Sequence, residues 1–332
     1  MAPTGSVVIA FDKFRGTASA AELCRVAATA AGERGWRVTV CPLADGGEGS
    51  LEAVGGPNKR STVTDPLGRP VEAGWRLEGR RAFIEMARAS GLTLAGGSEG
   101  NDPIAATTRG TGELIATAIE LGARSVTVFL GGSATTDGGW GAVEALPPAA
   151  RLKEIELVVA TDVRTLFVDA AAVFGPQKGA TSAQVALLER RLHRLVQLYE
   201  QRYGVDVSTV PGAGAAGGLA GGLVAVGGRV EPGFDVVAEQ VGLDEALADA
   251  DLVITGEGHL DRESFNGKVV GGVAEWAADD GVPVLAVVGD TDDVLVPDGV
   301  EVVALAARFG RQRALTETLD LVATVVRERL AP

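Results

Sequence analysis

The chain has 332 residues, of which 46% are hydrophobic and only 5% are aromatic, and its formal net charge is −14. This length predicts two domains, and an interior built mainly from Val, Leu, Ile and Ala is typical of parallel sheets covered by helices. Because the chain is strongly negative and has no concentrated basic patch, we exclude nucleic acid and anionic lipid as partners.

Short apolar segments alternate with helix-like segments along the chain. Helices are predicted over 19–32, 111–121, 181–203 and 268–278. The region 61–86 alternates polar and apolar residues between turn signals, which predicts an antiparallel meander. The predicted parallel strands lie at 7–11, 126–130, 157–160, 252–254, 284–288 and 302–305.

This alternation predicts two α/β domains, one of them Rossmann-like with a mainly parallel sheet, with a cleft between them. We place the Rossmann-like domain at 1–60 plus 250–332 and the second α/β domain at 61–249. Residues 1–6 lack the pattern of a signal peptide, and the two cysteines, Cys24 and Cys41, lack zinc or redox spacing. We therefore predict a cytoplasmic protein without a membrane partner, whose oligomeric state, including a homo-oligomer, stays open.

The first two candidate segments follow early strands. In 11–16, Lys13 and Arg15 stand where a helix begins, and a helix N-terminus beside two cations attracts phosphate or carboxylate. In 42–49, Asp45 and Glu48 lie within a glycine-rich loop, where either carboxylate could act as a base or bind Mg²⁺. The alternatives are a capped turn with surface charges and a plain loop.

Two further groups of segments carry glycine beside polar residues. The loop 131–139 follows an apolar strand and could hold phosphates in an anion nest, with Asp137 available for a metal. Segments 174–180 and 254–268 place Lys178 and Lys268 next to glycine. Together with Lys13 of the 11–16 segment, three of the chain's five lysines lie in glycine-bearing segments, and a compact ammonium suits phosphate.

Several well-known motifs are missing from the sequence. There is no GxxxxGK[ST] P-loop, no protein-kinase HRD or DFG signature and no GxSxG elbow. Residues 212–217 match GxGxxG with Asp235 downstream, but Pro211 precedes them and no good strand does. Close packing of a Gly/Ala-rich helix, or a loop lining the cleft, explains this segment better than an NAD-linked dehydrogenase, which is the weaker alternative.

Taken together, the motifs resemble those of bacterial type I glycerate kinases, in the same order across nearly the whole chain. This resemblance implies a two-domain α/β enzyme that phosphorylates D-glycerate with Mg-ATP, commonly at the 2-hydroxyl. The matching segments are DKFRGT (12–17), PLADGGEGS (42–50), VTDPLGRPVEA (63–73), TTRGTGEL (107–114), GGSATTDGG (131–139), FGPQKGAT (174–181), PGAGAAGGLAGGL (211–223) and DLVITGEGHLDRESFNGK (251–268).

The resemblance and the physical pattern select the same segments for ATP, Mg²⁺ and glycerate. Asp45 or Asp137 would hold Mg²⁺, and Asp12 or Glu48 would orient the substrate hydroxyl. The predicted catalytic residues are Asp12, Lys13, Arg15, Asp45, Glu48 and Lys268, and the predicted cofactor-binding residues are Gly131, Gly132, Ser133, Thr135, Thr136, Lys178 and Glu257.

Two departures from the family pattern motivate an alternative function. The stretch between Leu146 and Ile155 is shortened, and Val-Arg-Thr-Leu-Phe follows Asp162 where the family usually has Val-Asp-Asn-Pro-Leu. A weakened paralogue that binds a nucleotide or a hydroxy acid without turnover would explain both changes.

Overall fold

The computed structural model describes residues 4–265 and 267–330, which alternate between strands and helices. The strands are β1 (Ser6–Phe11), β2 (Arg37–Val40), β3 (Lys59–Thr64), β4 (Pro70–Glu78), β5 (Arg81–Glu85), β6 (Ser125–Phe129), β7 (Glu156–Ala160), β8 (Arg229–Glu231), β9 (Leu252–Gly256), β10 (His259–Leu260), β11 (Val284–Val288), β12 (Asp290–Thr291) and β13 (Val300–Ala304).

Helices connect most of the strands. They are α1 (Ala20–Glu33), α2 (Ser50–Ala53), α3 (Ala87–Ser90), α4 (Gly97–Gly100), α5 (Arg109–Glu120), α6 (Trp140–Ala145), α7 (Ala149–Leu152), α8 (Ala170–Phe174), α9 (Ser182–Tyr203), α10 (Ala215–Ala225), α11 (Gly233–Val241), α12 (Leu243–Ala248), α13 (Val269–Asp279), α14 (Leu305–Phe309), α15 (Arg311–Thr316) and α16 (Thr318–Arg329). Among these residues, no helix has both the length and the apolar content needed to cross a membrane.

The chain divides into two compact units. The first unit comprises Met1–Asp45, Glu52–Val54 and Phe234–Pro332, and the second comprises Gly46–Leu51 and Gly55–Gly233. The domain boundaries predicted from the sequence cut the chain at other positions and stay a prediction.

The first unit contains a five-stranded parallel sheet in the order β13-β11-β9-β1-β2. Its central strands are buried because their side chains are almost all apolar, as expected for a parallel sheet. Helix α1 begins with a capping box between Ser19 and Glu22, and it buries Leu23 and Ala27 in the same core as β1. The predicted Rossmann-like architecture is confirmed.

The second unit contains a six-stranded mixed sheet in the order β3-β4-β5-β6-β7-β8. Strands β3, β4 and β5 pair antiparallel, which confirms the predicted meander, and β5 to β8 pair parallel. The long helix α9 has a capping box between Thr181 and Gln184, and it ends at Gly204 in the left-handed conformation with a φ of 73°.

Each predicted strand overlaps a strand of the structure, and each predicted helix overlaps a helix. Sequence analysis placed a strand before residue 42, where β2 lies, without giving its bounds, and it missed the short strands β8, β10 and β12, which have three, two and two residues. Parallel pairing matters for function because the carboxyl ends of neighbouring parallel strands lie at the same edge of the sheet. The residues that follow these strands are therefore close together.

Candidate active site

Two acidic residues are neighbours at the carboxyl edge of the first unit's sheet. Phe11 pairs with Gly256 in parallel register, and the Asp12 N–H donates to the Gly256 carbonyl at 3.0 Å. The next residues along the two strands, Asp12 and Glu257, therefore lie side by side on one face of the sheet.

Asp12 combines desolvation with nearby charges of both signs. Its Oδ1 accepts the Lys13 N–H at 2.7 Å and lies 3.9 Å from the Lys13 Nζ. Desolvation and the charge of Asp45 raise the pKa of Asp12 to about 6, against the opposing charges of Lys13 and Arg15. The structure thus brings these four predicted residues together, with Arg15 exposed at the rim.

Asp45 reaches the same edge through the segment after β2. The Leu43 N–H donates to the Phe11 carbonyl at 2.9 Å, which carries the chain past the end of β1. Asp45 is half-buried there, close enough to Asp12 to raise its pKa.

Glu257 is buried, with only 8% of its surface exposed. Burial and the charge of Asp12 raise its pKa to about 7, against a hydrogen bond from Ser264 and the Lys268 ammonium, which lower it. Among the residues that the structure describes, none donates a hydrogen bond to Oε1 of Glu257. A buried carboxyl oxygen without a donor is costly, so this atom is suited to a hydrogen supplied by a ligand.

Lys268 lies at the start of α13, next to Glu257 and Asp261. Its Nζ lies 3.6 Å from Asp261 Oδ1, and its side chain is 37% exposed. As the residue before the helix it has extended backbone geometry, and its side chain makes no capping hydrogen bond. An accessible ammonium at a helix N-terminus is well placed for an anion.

In the second unit, Glu48 lies against the start of the 131–139 loop. A Cβ on Gly132 would come within 1.9 Å of Glu48 Oε1, and one on Gly131 would come within 2.7 Å of the Gly47 Cα. Gly132 also has a φ of 63°. Gly131 is therefore required by its close approach to the Gly47 backbone and Gly132 by its left-handed φ, and the structure brings both glycines together with Glu48.

Asp137 organises the loop instead of facing outward. Its Oδ2 accepts the Thr108 N–H at 2.8 Å and the Thr108 hydroxyl at 2.9 Å, and its Oδ1 accepts the Gly139 N–H at 3.0 Å. Desolvation raises the pKa of Asp137, and these hydrogen bonds oppose the rise. Because both oxygens are used within the unit, we do not carry its predicted Mg²⁺ role into the proposal below.

Lys178 is also internal, with only 3% of its surface exposed. Its Nζ donates to the Thr135 carbonyl at 2.6 Å and lies 5.8 Å from the centre of the Phe174 ring. Burial lowers the pKa of Lys178 to about 7, and Asp137 opposes this effect. Through this hydrogen bond to Thr135, the buried Lys178 supports the 131–139 loop from inside the unit.

The hydroxyl side chains of the loop are buried as well, at Ser133, Thr135 and Thr136. Several backbone groups of the loop are already engaged: the Ala134 N–H donates to the Ser90 carbonyl and the Gly138 N–H to the Gly217 carbonyl, both at 3.0 Å. A phosphate would have to use other N–H groups of this loop.

Mg²⁺ places a modest demand on protein ligands. Within the described ranges 4–265 and 267–330, no three His, Cys, Asp or Glu side chains cluster as a metal site. Mg²⁺ commonly takes one or two carboxylates together with substrate phosphates and water, so the half-buried Asp45 carboxylate fits it without such a cluster.

The comparisons with known proteins decide the family. A family model described as the glycerate kinase family matches residues 7–149 and 147–328. The chain belongs to the glycerate kinase family. The two matched segments overlap at 147–149, in the connection between α6 and β7 that contains α7.

Curated and solved relatives agree with this membership. The chain is 39% identical to glycerate 2-kinase of Escherichia coli K12 over 87% of this chain and 86% of that protein. It is 38% identical to glycerate kinase of Bacillus subtilis 168 over 85% of this chain and 84% of that protein. A solved structure from Salmonella typhimurium LT2 that carries the name glycerate kinase 2 superposes with a TM-score of 0.83 at 34% identity, covering 98% of this chain and 97% of that one.

Sequence reasoning missed several residues that support these loops. Glu85 ends β5, and its Oε2 accepts the Gly49 N–H at 3.0 Å. Tyr199 donates its hydroxyl to the Gly138 carbonyl at 2.8 Å, and Asn101 donates to the Ala134 carbonyl at 2.9 Å. The strand-end rule could have selected Glu85, whereas nothing local in the sequence marks Tyr199 or Asn101.

The GxGxxG segment serves close packing. It follows a 3-10 turn at Val207–Thr209, and the context of a dinucleotide-binding strand is not present there. A Cβ on Gly217 would come within 1.9 Å of the Thr135 carbonyl oxygen, and one on Gly222 within 2.9 Å of the Gly139 Cα. Gly217 of this segment and Gly222 beyond it thus let α10 approach the 131–139 loop.

Proposed function

We propose that this protein transfers the γ-phosphoryl group of ATP to the 2-hydroxyl of D-glycerate, forming 2-phosphoglycerate and ADP. Family membership and the name of the Escherichia coli relative, glycerate 2-kinase, support the substrate and the position. The observation that carries the proposal is the first unit's carboxyl edge, where Asp12, Glu257, Lys13 and Lys268 gather. Positioning and charge neutralisation are what phosphoryl transfer requires.

Accessible cations of the first unit would receive the anionic groups. Lys13 is 24% exposed and Lys268 is 37% exposed, while Arg15 lies at the surface. We assign them to phosphate oxygens and to the glycerate carboxylate. Lys178 takes a different role in this proposal, because its ammonium is committed to the Thr135 carbonyl and supports the 131–139 loop.

Asp45 would hold Mg²⁺, which neutralises charge on the β- and γ-phosphates when it is bound. Asp12, or Glu48 of the second unit, remains the candidate for orienting the substrate hydroxyl. The 131–139 loop remains the candidate for the phosphates, through N–H groups other than those of Ala134, Gly138 and Gly139. The two free cysteines and the use of ATP support a cytoplasmic location.

ADP release tests the proposal. The purified protein is incubated with ATP, Mg²⁺ and D-glycerate, and matched reactions contain D-lactate, which keeps the 2-hydroxyl, or 3-hydroxypropionate, which lacks it. We expect ADP with D-glycerate, a slower reaction with D-lactate and none with 3-hydroxypropionate. No ADP above the blank would remove the kinase proposal, and calorimetric binding of ATP or glycerate in that case would favour the non-catalytic alternative.

A further inference from the structure

Glu257 stands apart from the other acids at the edge of the first unit's sheet. It follows β9, is buried, and has a hydrogen bond from Ser264, yet its Oε1 receives no donor from the described part of the chain. The fold thus holds the Glu257 Oε1 in a buried position where it can still accept a hydrogen bond.

The neighbouring acids have their own donors. Asp12, which follows β1 beside Glu257, already accepts the Lys13 N–H. Asp261, in the loop before α13, accepts the Ser264 N–H at 3.0 Å and pairs with Lys268. Lys268 and Ser264 are the groups that stabilise negative charge on Glu257, whereas Asp12 and Asp261 oppose it. Of these three acids, Glu257 is the one with a buried oxygen that still requires a hydrogen.

We propose that Glu257 is the general base of the reaction and accepts the proton of the glycerate 2-hydroxyl at its Oε1. This inference rests on the proposed function and replaces the cofactor-binding role predicted for Glu257 from the sequence. In the step, the 2-hydroxyl oxygen forms a bond to the γ-phosphorus of ATP while the bond from that phosphorus to the β,γ-bridging oxygen breaks. ADP leaves with that electron pair, the hydroxyl proton passes to Glu257, and Glu257 later releases it to water.

The environment of Glu257 suits this role. A base must be ionised to accept a proton, and its pKa should lie near the working pH. Burial and Asp12 raise the pKa of Glu257 to about 7, so the group is protonated below that pH and ionised above it. The turnover number should therefore fall as the pH drops below about 7.

Glu257→Gln tests the inference, since it keeps the shape of the side chain and removes the basic oxygen. We expect kcat to fall by at least about 100-fold with KM for ATP little changed, and the acidic limb of the pH profile to disappear. Glu263→Gln is the matched control, because Glu263 is an exposed carboxylate in the same segment, and it should behave like the wild type. Unchanged melting temperatures would confirm that both variants are folded.

Two outcomes would overturn the inference. One is a Glu257→Gln enzyme that retains kcat and the acidic limb. The other is a variant whose main defect is a higher Mg²⁺ requirement that excess Mg²⁺ corrects, because Glu257 would then be a metal ligand.

A binding measurement separates this inference from the proposed function. Glycerate is titrated calorimetrically near pH 7 in buffers of different ionisation enthalpy, without ATP. A hydroxyl that donates to Glu257 favours its ionised form, so binding should release protons from the wild type and not from Glu257→Gln. Equal proton release by both proteins, or no glycerate binding, would contradict the contact. Absence of ADP formation by a wild type that binds with proton release would contradict only the kinase reaction.

Discussion

Lys13 brings positive charge directly to the end of β1, where its Nζ lies 3.9 Å from Asp12. Replacing Lys13 by alanine should lower kcat/KM by about 100-fold, because an accessible ammonium near transferring phosphates is lost. It should also raise the pKa of Asp12 further, since Lys13 opposes that shift. Steady-state kinetics with ATP and D-glycerate measure the effect.

Lys153→Ala is the control for that substitution, because it removes an exposed lysine of the short α7 connection. It should leave the rate unchanged. A Lys13→Ala enzyme with the wild-type kcat/KM would dismiss the role given to Lys13.

Lys178 makes stability depend on pH in a predictable direction. Its pKa falls from 10.5 in the unfolded chain to about 7 in the folded protein, so the unfolded chain binds more protons between these values. The free energy of unfolding should therefore rise with pH across that window in the wild type relative to Lys178→Met. Urea unfolding of both proteins at several pH values measures this difference, and a constant difference would contradict the buried ammonium.

The chemistry of single residues was only partly predictable from sequence. The order of apolar strands and acids indicated that Asp12 and Glu257 lie at strand ends, and the register makes them neighbours. The burial of Lys178 was not predictable, because it depends on the Thr135 carbonyl and the Phe174 ring, which are brought to it only by tertiary packing. The same is true of Asp137 and its partner Thr108.

At the scale of elements, α10 and the 131–139 loop depend on a glycine at position 217. Gly217 has a φ of 67°, and a Cβ there would come within 1.9 Å of the Thr135 carbonyl oxygen. Gly204 has a φ of 73° but has no neighbouring atom within 4 Å of its Cβ position. Substitutions at these two glycines therefore distinguish the cost of a left-handed backbone from the cost of steric overlap.

Gly204→Ala should cost about 1 to 2 kcal/mol, the penalty of a left-handed residue. Gly217→Ala should cost more than this, because the Thr135 carbonyl, which accepts the Lys178 ammonium, must also move. Chemical unfolding of the two variants measures the difference. Equal losses would show that the contact between Gly217 and Thr135 is not tight.

The structure confirms predicted elements that have continuous apolar runs or clear caps, such as β1, β11 and α9. Strand β8 was missed because it has only three residues, Arg229–Glu231, and none of them is buried. At the start of the unusual segment 162–167, the Asp162 Oδ1 accepts the Gly233 N–H at 2.8 Å. Its sequence alone gave no sign of this partner 71 residues away.

At the scale of the whole molecule, the family resemblance spans both units. The matched segments run from residue 7 to residue 328 and include every loop assigned to the reaction. The net charge of −14 opposes anionic substrates at long range, so binding must rely on local cations such as Lys13 and Lys268. The association of ATP should accordingly depend on Mg²⁺ and on these side chains.

Phosphorus NMR of the reaction products tests the central claim most directly. The protein is incubated with ATP, Mg²⁺ and D-glycerate, and the spectrum is compared with authentic 2-phosphoglycerate and 3-phosphoglycerate. We predict that the γ-phosphate signal of ATP decreases while the signals of ADP and 2-phosphoglycerate increase equally. A spectrum in which ATP persists, or in which the phosphate appears only on the 3-hydroxyl or as free phosphate, would contradict the account.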